Sequence, residues 1–267
     1  ALAVVRSEIE ARIATLDALA LGLMRSTELT RALGQNDRRG LLDLSASAFR
    51  QMRAEHGVDR MYFIAPDRTV IARPHDPRRS GDQSTHASVV RAAATLAPAQ
   101  GVERATTGDT LLSVVHPWVR DGRVVGMVEL AVPFLRIGDR AETLARVQVV
   151  VIGSTRSADG TDQRVLLHAG GGAVPAVVEQ WLATPAGQPL PERAHSCERQ
   201  RCMQVVNMRL PEVHPGGAGT LLLVQDVSDL DRASRTAIST LVLVTGILAS
   251  LGIITLLLVL AQVRRYR

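Results

Sequence analysis

An uncharged run from Ala237 to Val263, about 27 residues, limits the architecture of this chain more than any other stretch. A helix rises ~1.5 Å per residue, so a run of that length can cross the ~30 Å hydrocarbon layer of a bilayer. Arg264, Arg265, Tyr266 and Arg267 follow directly. Arginines against one end of a span mark its cytoplasmic side. The upstream flank is mixed in sign, with Asp226, Asp229, Asp231, Arg232 and Arg235. Residues 1–236 are therefore expected outside the cytoplasm. The first residue is Ala1 and the chain opens in mid-helix. We read it as a fragment, with an earlier span and a cytoplasmic output domain expected beyond its ends. A folded outer region joined by one helix to an inner region is the layout of a receptor.

The net charge of +5 and pI near 10.4 raise the question of nucleic acid. All 31 basic residues are arginine, spread along the chain without a basic block or interleaved aromatics. That pattern reflects a GC-rich genome, and with the extracytoplasmic location it argues against a nucleic-acid partner. The two cysteines, Cys197 and Cys202, sit close together. Outside the cytoplasm such a pair usually closes a disulfide, here a local clip because the loop is short. His195 opens an alternative, a metal site with three of four ligands in view and no evident fourth. Free thiols are the remaining reading. The disulfide is the preferred expectation, with no metal and no cofactor.

Residues 1–33 read as one amphipathic helix, with Val5, Ile9, Ile13, Leu16, Leu19 and Leu23 at three- and four-residue steps. The stripe can pack on its own domain, and it is wide enough to serve also as the seam of a homodimer. A second helix is expected over residues 41–56, ending at Gly57. Strands follow at 60–65 and 69–73, joined by a turn at Pro66-Asp67-Arg68. After a loop from Pro74 to Gln83, Ser84 or Thr85 can cap a helix reaching Leu96. Strands at 101–106, 110–118 and 124–132 come next, the last two around an Asp121-Gly122 hairpin turn. This module is expected to form an antiparallel sheet with helices on one face. A second unit follows. Residues 134–147 and 175–184 read as helices, and 147–153, 164–168, 204–210 and 220–226 as strands. Turns are expected at Gly170–Gly172 and Pro215–Gly217, and a long loop holds both cysteines. The closing hairpins of the two units share an order of Val-Val, Pro, a Gly-containing turn and a Gly-led apolar strand. That points to two copies of one fold. The divisions are 1–33, 34–133, 134–227 and 228–267.

The stretch Met61-Tyr-Phe-Ile-Ala-Pro-Asp-Arg-Thr-Val-Ile-Ala-Arg-Pro-His-Asp-Pro77, completed by Gly81-Asp82, forms an R-x-H-x-P-x3-G-D loop. With this loop, the layout, and the exit Leu222-Leu-Val-Gln-Asp-Val-Ser228, the chain resembles the double Cache sensor family of bacterial transmembrane receptors. The resemblance covers nearly all of residues 1–236. It implies an α+β fold: two tandem PAS-like Cache modules of antiparallel sheet and helices, after a long N-terminal helix and before one transmembrane helix. It also implies a protein of the bacterial inner membrane, single-pass within this fragment, with lipid around its span and a small molecule bound in the first, membrane-distal module. Family members feed histidine kinases, diguanylate cyclases and phosphodiesterases, or chemoreceptors.

Arg73, His75 and Asp82 put a cation, a switchable base and a carboxylate on one loop. Arg73 can hold a ligand carboxylate through two parallel hydrogen bonds. His75 can make the response sensitive to pH near 6.5. Asp82 can instead pair with Arg73 and pin the loop. Tyr62 fits a pocket wall, and Trp118 and Glu129 lie on neighbouring strands of the last hairpin. Facing inward, Glu129 needs a partner, for which Arg73 is a candidate; facing outward, it is solvated. These six are the candidate ligand-binding residues. No G-x-S-x-G elbow, H-E-x-x-H pair or phosphate-binding loop occurs, so no catalytic residue is named. A membrane-anchored envelope enzyme and a protein-interaction module remain the rival readings.

Overall fold

The computed structural model describes residues 2–104, 108–145, 147–156, 162–169, 174–185, 188–198, 201–209 and 220–265. The turns expected at Gly170–Gly172 and Pro215–Gly217, and the terminal Tyr266 and Arg267, lie outside those residues. The chain divides into two compact units: Ala1–Ala194 with Val205–Gln225, and His195–Gln204 with Asp226–Arg267.

The first unit opens with helices α1 (Leu2–Leu23), α2 (Thr27–Gly34) and α3 (Arg38–His56). The single helix expected over 1–33 is therefore two. Ser26 has extended backbone, and its Oγ accepts the Leu29 N–H at 3.1 Å, which restarts the helix instead of continuing it. Asp37 caps α3 in the same way through the Gly40 N–H at 2.9 Å, and Gly57 closes it with φ 69°, the left-handed conformation glycine adopts at no cost.

The first sheet contains β1 (Arg60–Ile64), β2 (Val70–Ala72), β3 (Ala99–Arg104), β4 (Thr110–Arg120) and β5 (Arg123–Pro133), with α4 (Ala87–Thr95) between β2 and β3. Its order is β2-β1-β5-β4-β3, and β2–β1, β1–β5, β5–β4 and β4–β3 all pair antiparallel. Helix α5 (Phe134–Ala145) leads into β6 (Gln148–Arg156), β7 (Asp162–Ala169), α6 (Ala176–Ala183), β8 (Arg193–Glu198), β9 (Arg201–Arg209) and β10 (Thr220–Asp226). That sheet is ordered β7-β6-β10-β9-β8. Strand for strand the two orders are identical, so the chain carries two copies of one topology.

Strand alternation divides the first sheet into two faces. Met61, Phe63, Leu112, Val114, Trp118, Val128 and Leu130 join the core shared with α1, α2 and α3. Tyr62, Ile64, Val115 and Met127 pack instead with Val89 and Ala92 of α4. Helices therefore cover both faces, not one, because the last helix before β3 crosses to the side opposite α1. The N-cap of α4 is His86, not Ser84 or Thr85, and its side chain makes no cap hydrogen bond.

The apolar stripe of α1 is used within the chain. Val5, Ile9, Ile13, Leu16 and Leu23 are buried and Leu19 is half-buried. The same core takes in Phe134 and Ile137 of α5, Val149 and Val151 of β6, and Leu221 and Leu223 of β10. One apolar body thus joins α1 to strands of both sheets.

In the second unit Cys197 and Cys202 are joined by a disulfide, on strands β8 and β9 and not in the loop expected from sequence. Helix α7 (Ser228–Arg265) starts beside it. The Cys202 N–H donates to Ser228 Oγ at 2.9 Å, and the Val227 N–H donates to the Cys202 carbonyl at 2.8 Å. Asp226 accepts the Ser228 N–H at 2.9 Å and its hydroxyl at 2.5 Å, which holds the Asp226 carboxyl below the usual carboxylate range. Further along, Ile238, Leu241, Val242, Leu243, Val244, Ile247, Leu248 and Leu251 are exposed all round the helix and not along one stripe. The segment Ser228–Thr255, of mean hydropathy 2.3, is long and apolar enough to cross a membrane.

Candidate functional site

The turn after β1 places Arg68 at φ 73° and is closed by Asp67 Oδ1, which accepts the Thr69 N–H at 2.9 Å. Strand β2 is short: Pro74, two residues beyond its end, cannot donate to a ladder. The chain then doubles back along β2. The Val70 N–H donates to the Asp82 carbonyl at 2.9 Å, and the Gly81 N–H donates to the Val70 carbonyl at 2.8 Å. Gly81 stands at φ 87°, a conformation that favours glycine. This return brings Arg73, His75 and Asp82 to the face of the sheet that carries Tyr62.

Arg73 is buried, and its two terminal nitrogens donate to the two Asp82 oxygens at 2.8 and 2.7 Å. These bonds hold the Asp82 carboxyl below its usual range. The guanidinium also lies 5.4 Å from the Tyr62 ring centroid, within range of a cation–π contact. Burial first, and then the Glu129 charge, push the Tyr62 hydroxyl up to about 12. Arg73, His75, Asp82, Tyr62, Gln83 and His86 are among the residues lining a cavity of about 40 Å³. That is room for a few waters, since one needs about 10–15 Å³ by this measure, and far below the space a drug-sized ligand occupies. The Arg73–Asp82 pair forms part of the cavity wall.

His75 does backbone work. Strand β2 ends at Ala72, and His75 Nδ1 lies 2.9 Å from the Met61 carbonyl and 3.1 Å from the Met61 amide nitrogen, in place of a further ladder partner. Burial pushes its pKa down to about 4. The pH response near 6.5 expected from sequence is thereby displaced, because the charged imidazole is poorly solvated here. The unfolded chain takes up this proton near pH 6.5 and the folded chain only near 4. Stability present above pH 6.5 is therefore lost as pH falls towards 4, by about 2–3 kcal/mol in this window. Denaturant unfolding at a series of pH values checks this. The difference between the parent chain and His75→Asn should grow as pH rises from 4 to 6.5 and stay flat above it.

Glu129 faces inward, fully buried, and its partner is His86 rather than Arg73: Oε1 lies 2.8 Å from His86 Nδ1. The Ser113 hydroxyl donates to the same oxygen at 3.2 Å. Glu103, also buried, accepts the Ser88 hydroxyl at 2.6 Å and the Ser88 N–H at 3.3 Å, at the first turn of α4. Burial works against the charge on His86, but the hydrogen-bonded Glu129 carboxylate outweighs it and lifts the imidazole to about 9. Burial, with the Glu129 charge adding, raises the Glu103 carboxyl.

The structure thus brings Tyr62, Arg73, His75 and Asp82 together, with Glu129 linked to them through His86. It does not bring Trp118. That side chain lies on the opposite face, its ring 6.4 Å from Phe63 and its Nε1 donating to Thr30 Oγ1 at 3.2 Å. His86 and Glu103 were missed from sequence. The available signal was a second lone acid in a strand, at Glu103, matching the one at Glu129.

The family model for the double sensory domain of two-component sensor kinases, dCache_3, matches residues 1–152. Comparison with curated proteins gives no match. Among solved structures, the extracellular domain vpHK1S-Z8 is similar at TM-score 0.58 and 10% identity, covering 86% of this chain and 94% of that one. The periplasmic domain of Vibrio cholerae LuxQ gives 0.52 and 11%, over 84% and 97%. A domain described as sensory box/GGDEF, from Vibrio parahaemolyticus, gives 0.53 and 10%, over 84% and 92%. At such identities the likeness is one of fold, and these domains share the fold built from the two sheets described above. Together with the sequence match over more than half of its length, this establishes that the chain belongs to the dCache_3 family of double sensory domains.

Proposed function

We propose that residues 1–236 are the extracytoplasmic, small-molecule-sensing region of a bacterial receptor. In this reading α7 crosses the inner membrane once, surrounded by lipid, and the receptor works as a homodimer. The output is a histidine kinase, a diguanylate cyclase or phosphodiesterase, or a chemoreceptor domain. One observation carries the ligand site: a buried arginine, Arg73, whose two-pronged partner Asp82 sits half-exposed on a returning loop. A ligand carboxylate presents the same two oxygens as Asp82 and can take its place. Tyr62 and His75 would wall the opened pocket, and Glu129 would act through His86.

The signal is a population shift. The closed form holds Arg73 on Asp82, and the ligand prefers a form in which that loop has moved. It shifts the balance only by its differential affinity, about 1–3 kcal/mol in coupled systems. A thermal-shift screen of the full chain in detergent, with organic acids, amino acids, amines and sugars, tests this reading. One carboxylate-bearing class should raise the melting temperature, and Arg73→Ala should abolish the rise. Asp82→Asn should tighten binding several-fold by removing the internal competitor. Equal stabilisation of Arg73→Ala and the parent chain would remove Arg73 from the site.

A further inference from the structure

Behind the Arg73 pocket, the α4-facing side of the first sheet is depleted of bulk. Register places Gly101 beside Ser113 and Ser113 beside Ala131, three small residues in a row across β3, β4 and β5. Glu103 and Glu129 are set diagonally to this row, on the same face. His86, the residue before α4, closes over it. One ligand atom from each of His86, Glu103 and Glu129 lies within 4.8 Å of the others. We infer that these three side chains form a buried site for a divalent transition metal of the zinc class.

Three further observations support this assignment. Glu129 is fully buried, yet its Oε2 has no hydrogen-bond partner among the described residues. A buried carboxylate oxygen with no donor is costly to leave unmet, and a cation meets it directly. Charge balance points the same way. Two carboxylates, a neutral imidazole and a divalent ion sum to zero, so the occupied cluster buries no net charge. The carboxylates are also held from behind: Ser113 donates to Glu129, and Ser88 donates to Glu103 through both hydroxyl and N–H. Such outer contacts orient metal ligands. The imidazole selects for zinc-like ions over calcium or magnesium, which prefer all-oxygen sets. His86 also lines the Arg73 cavity, which provides the entry path. The inference stands whether or not an organic ligand uses that cavity.

The test uses the full chain in detergent, stripped of metal with a chelator and titrated calorimetrically with Zn²⁺. One equivalent per chain should bind. Glu129→Gln, which keeps shape and loses charge, should weaken binding at least tenfold, as should His86→Ala, while His195→Ala should leave it unchanged. X-ray absorption at the zinc edge of the parent chain gives a reading independent of how the variants fold. A shell of nitrogen and oxygen at about 2.0–2.1 Å supports the site; a sulfur shell at about 2.3 Å places the ion at the cysteines and overturns it. No zinc binding, or binding equally tight in Glu129→Gln and His86→Ala, also overturns it.

Discussion

Trp118→Ala is expected to destabilise the first unit by about 3–5 kcal/mol, the usual cost of removing a fully buried large aromatic side chain. Trp118 is 1% exposed. Its ring lies tilted beside Phe63, and it donates its Nε1–H to Thr30 of α2. The alanine variant loses the ring's burial and leaves a cavity between sheet and helix. A fall in melting temperature of roughly 10 °C or more should follow, read by circular dichroism. Trp118→Phe separates packing from hydrogen bonding. It keeps most of the volume and loses only the Thr30 bond, so about 1 kcal/mol is expected. Trp118→Phe should also leave ligand stabilisation intact, because the residue faces away from the Arg73 pocket. A selective loss of ligand response in Trp118→Phe would return this residue to the binding site.

Gly126→Ala should be comparably damaging. Gly126 is the cross-strand partner of Trp118. A Cβ there would sit 2.7 Å from the Ile64 carbonyl oxygen and 2.8 Å from Leu33 Cγ. The first is backbone within a paired strand and cannot yield without breaking the β1–β5 ladder. The second is a buried side chain of α2, already fixed in the core. Overpacking of this kind costs about 1–3 kcal/mol, and more where backbone must move. Denaturant unfolding gives the value directly. Because Trp118 and Gly126 share α2 as a neighbour, the double variant should cost less than the two single losses added. An additive result would mean that α2 docks on each independently.

The strands of the first sheet could be read from sequence because their turns are chemically marked, at Pro66-Asp67-Arg68 and Asp121-Gly122. The restart at Ser26 could not, since an apolar stripe with the same period continues through it. Strand β8 was hidden by a polar, largely exposed sequence with little alternation to betray it. The candidate site was half legible. Arg73, His75 and Asp82 lie on one loop, so nearness in sequence stood in for nearness in space. His86 and Glu129 are 43 positions apart, and only register and the crossing of α4 unite them. Trp118 and Glu129 looked like neighbours on one hairpin. Trp118 pairs with Gly126, and Glu129 is three residues further along β5, so the two project to opposite sides.

The burial of α1 against strands of both sheets ties the evolutionary fate of the two repeats together. Inserting one residue near Ile13 would rotate every later side chain on that helix by about 100°, withdrawing Leu16 and Leu23 from the interior while Val5 and Ile9 stayed put. Neither repeat can drift in length or be exchanged for a foreign copy without renegotiating the same handful of helix positions. A lineage that swaps sensing modules should therefore exchange α1 with them.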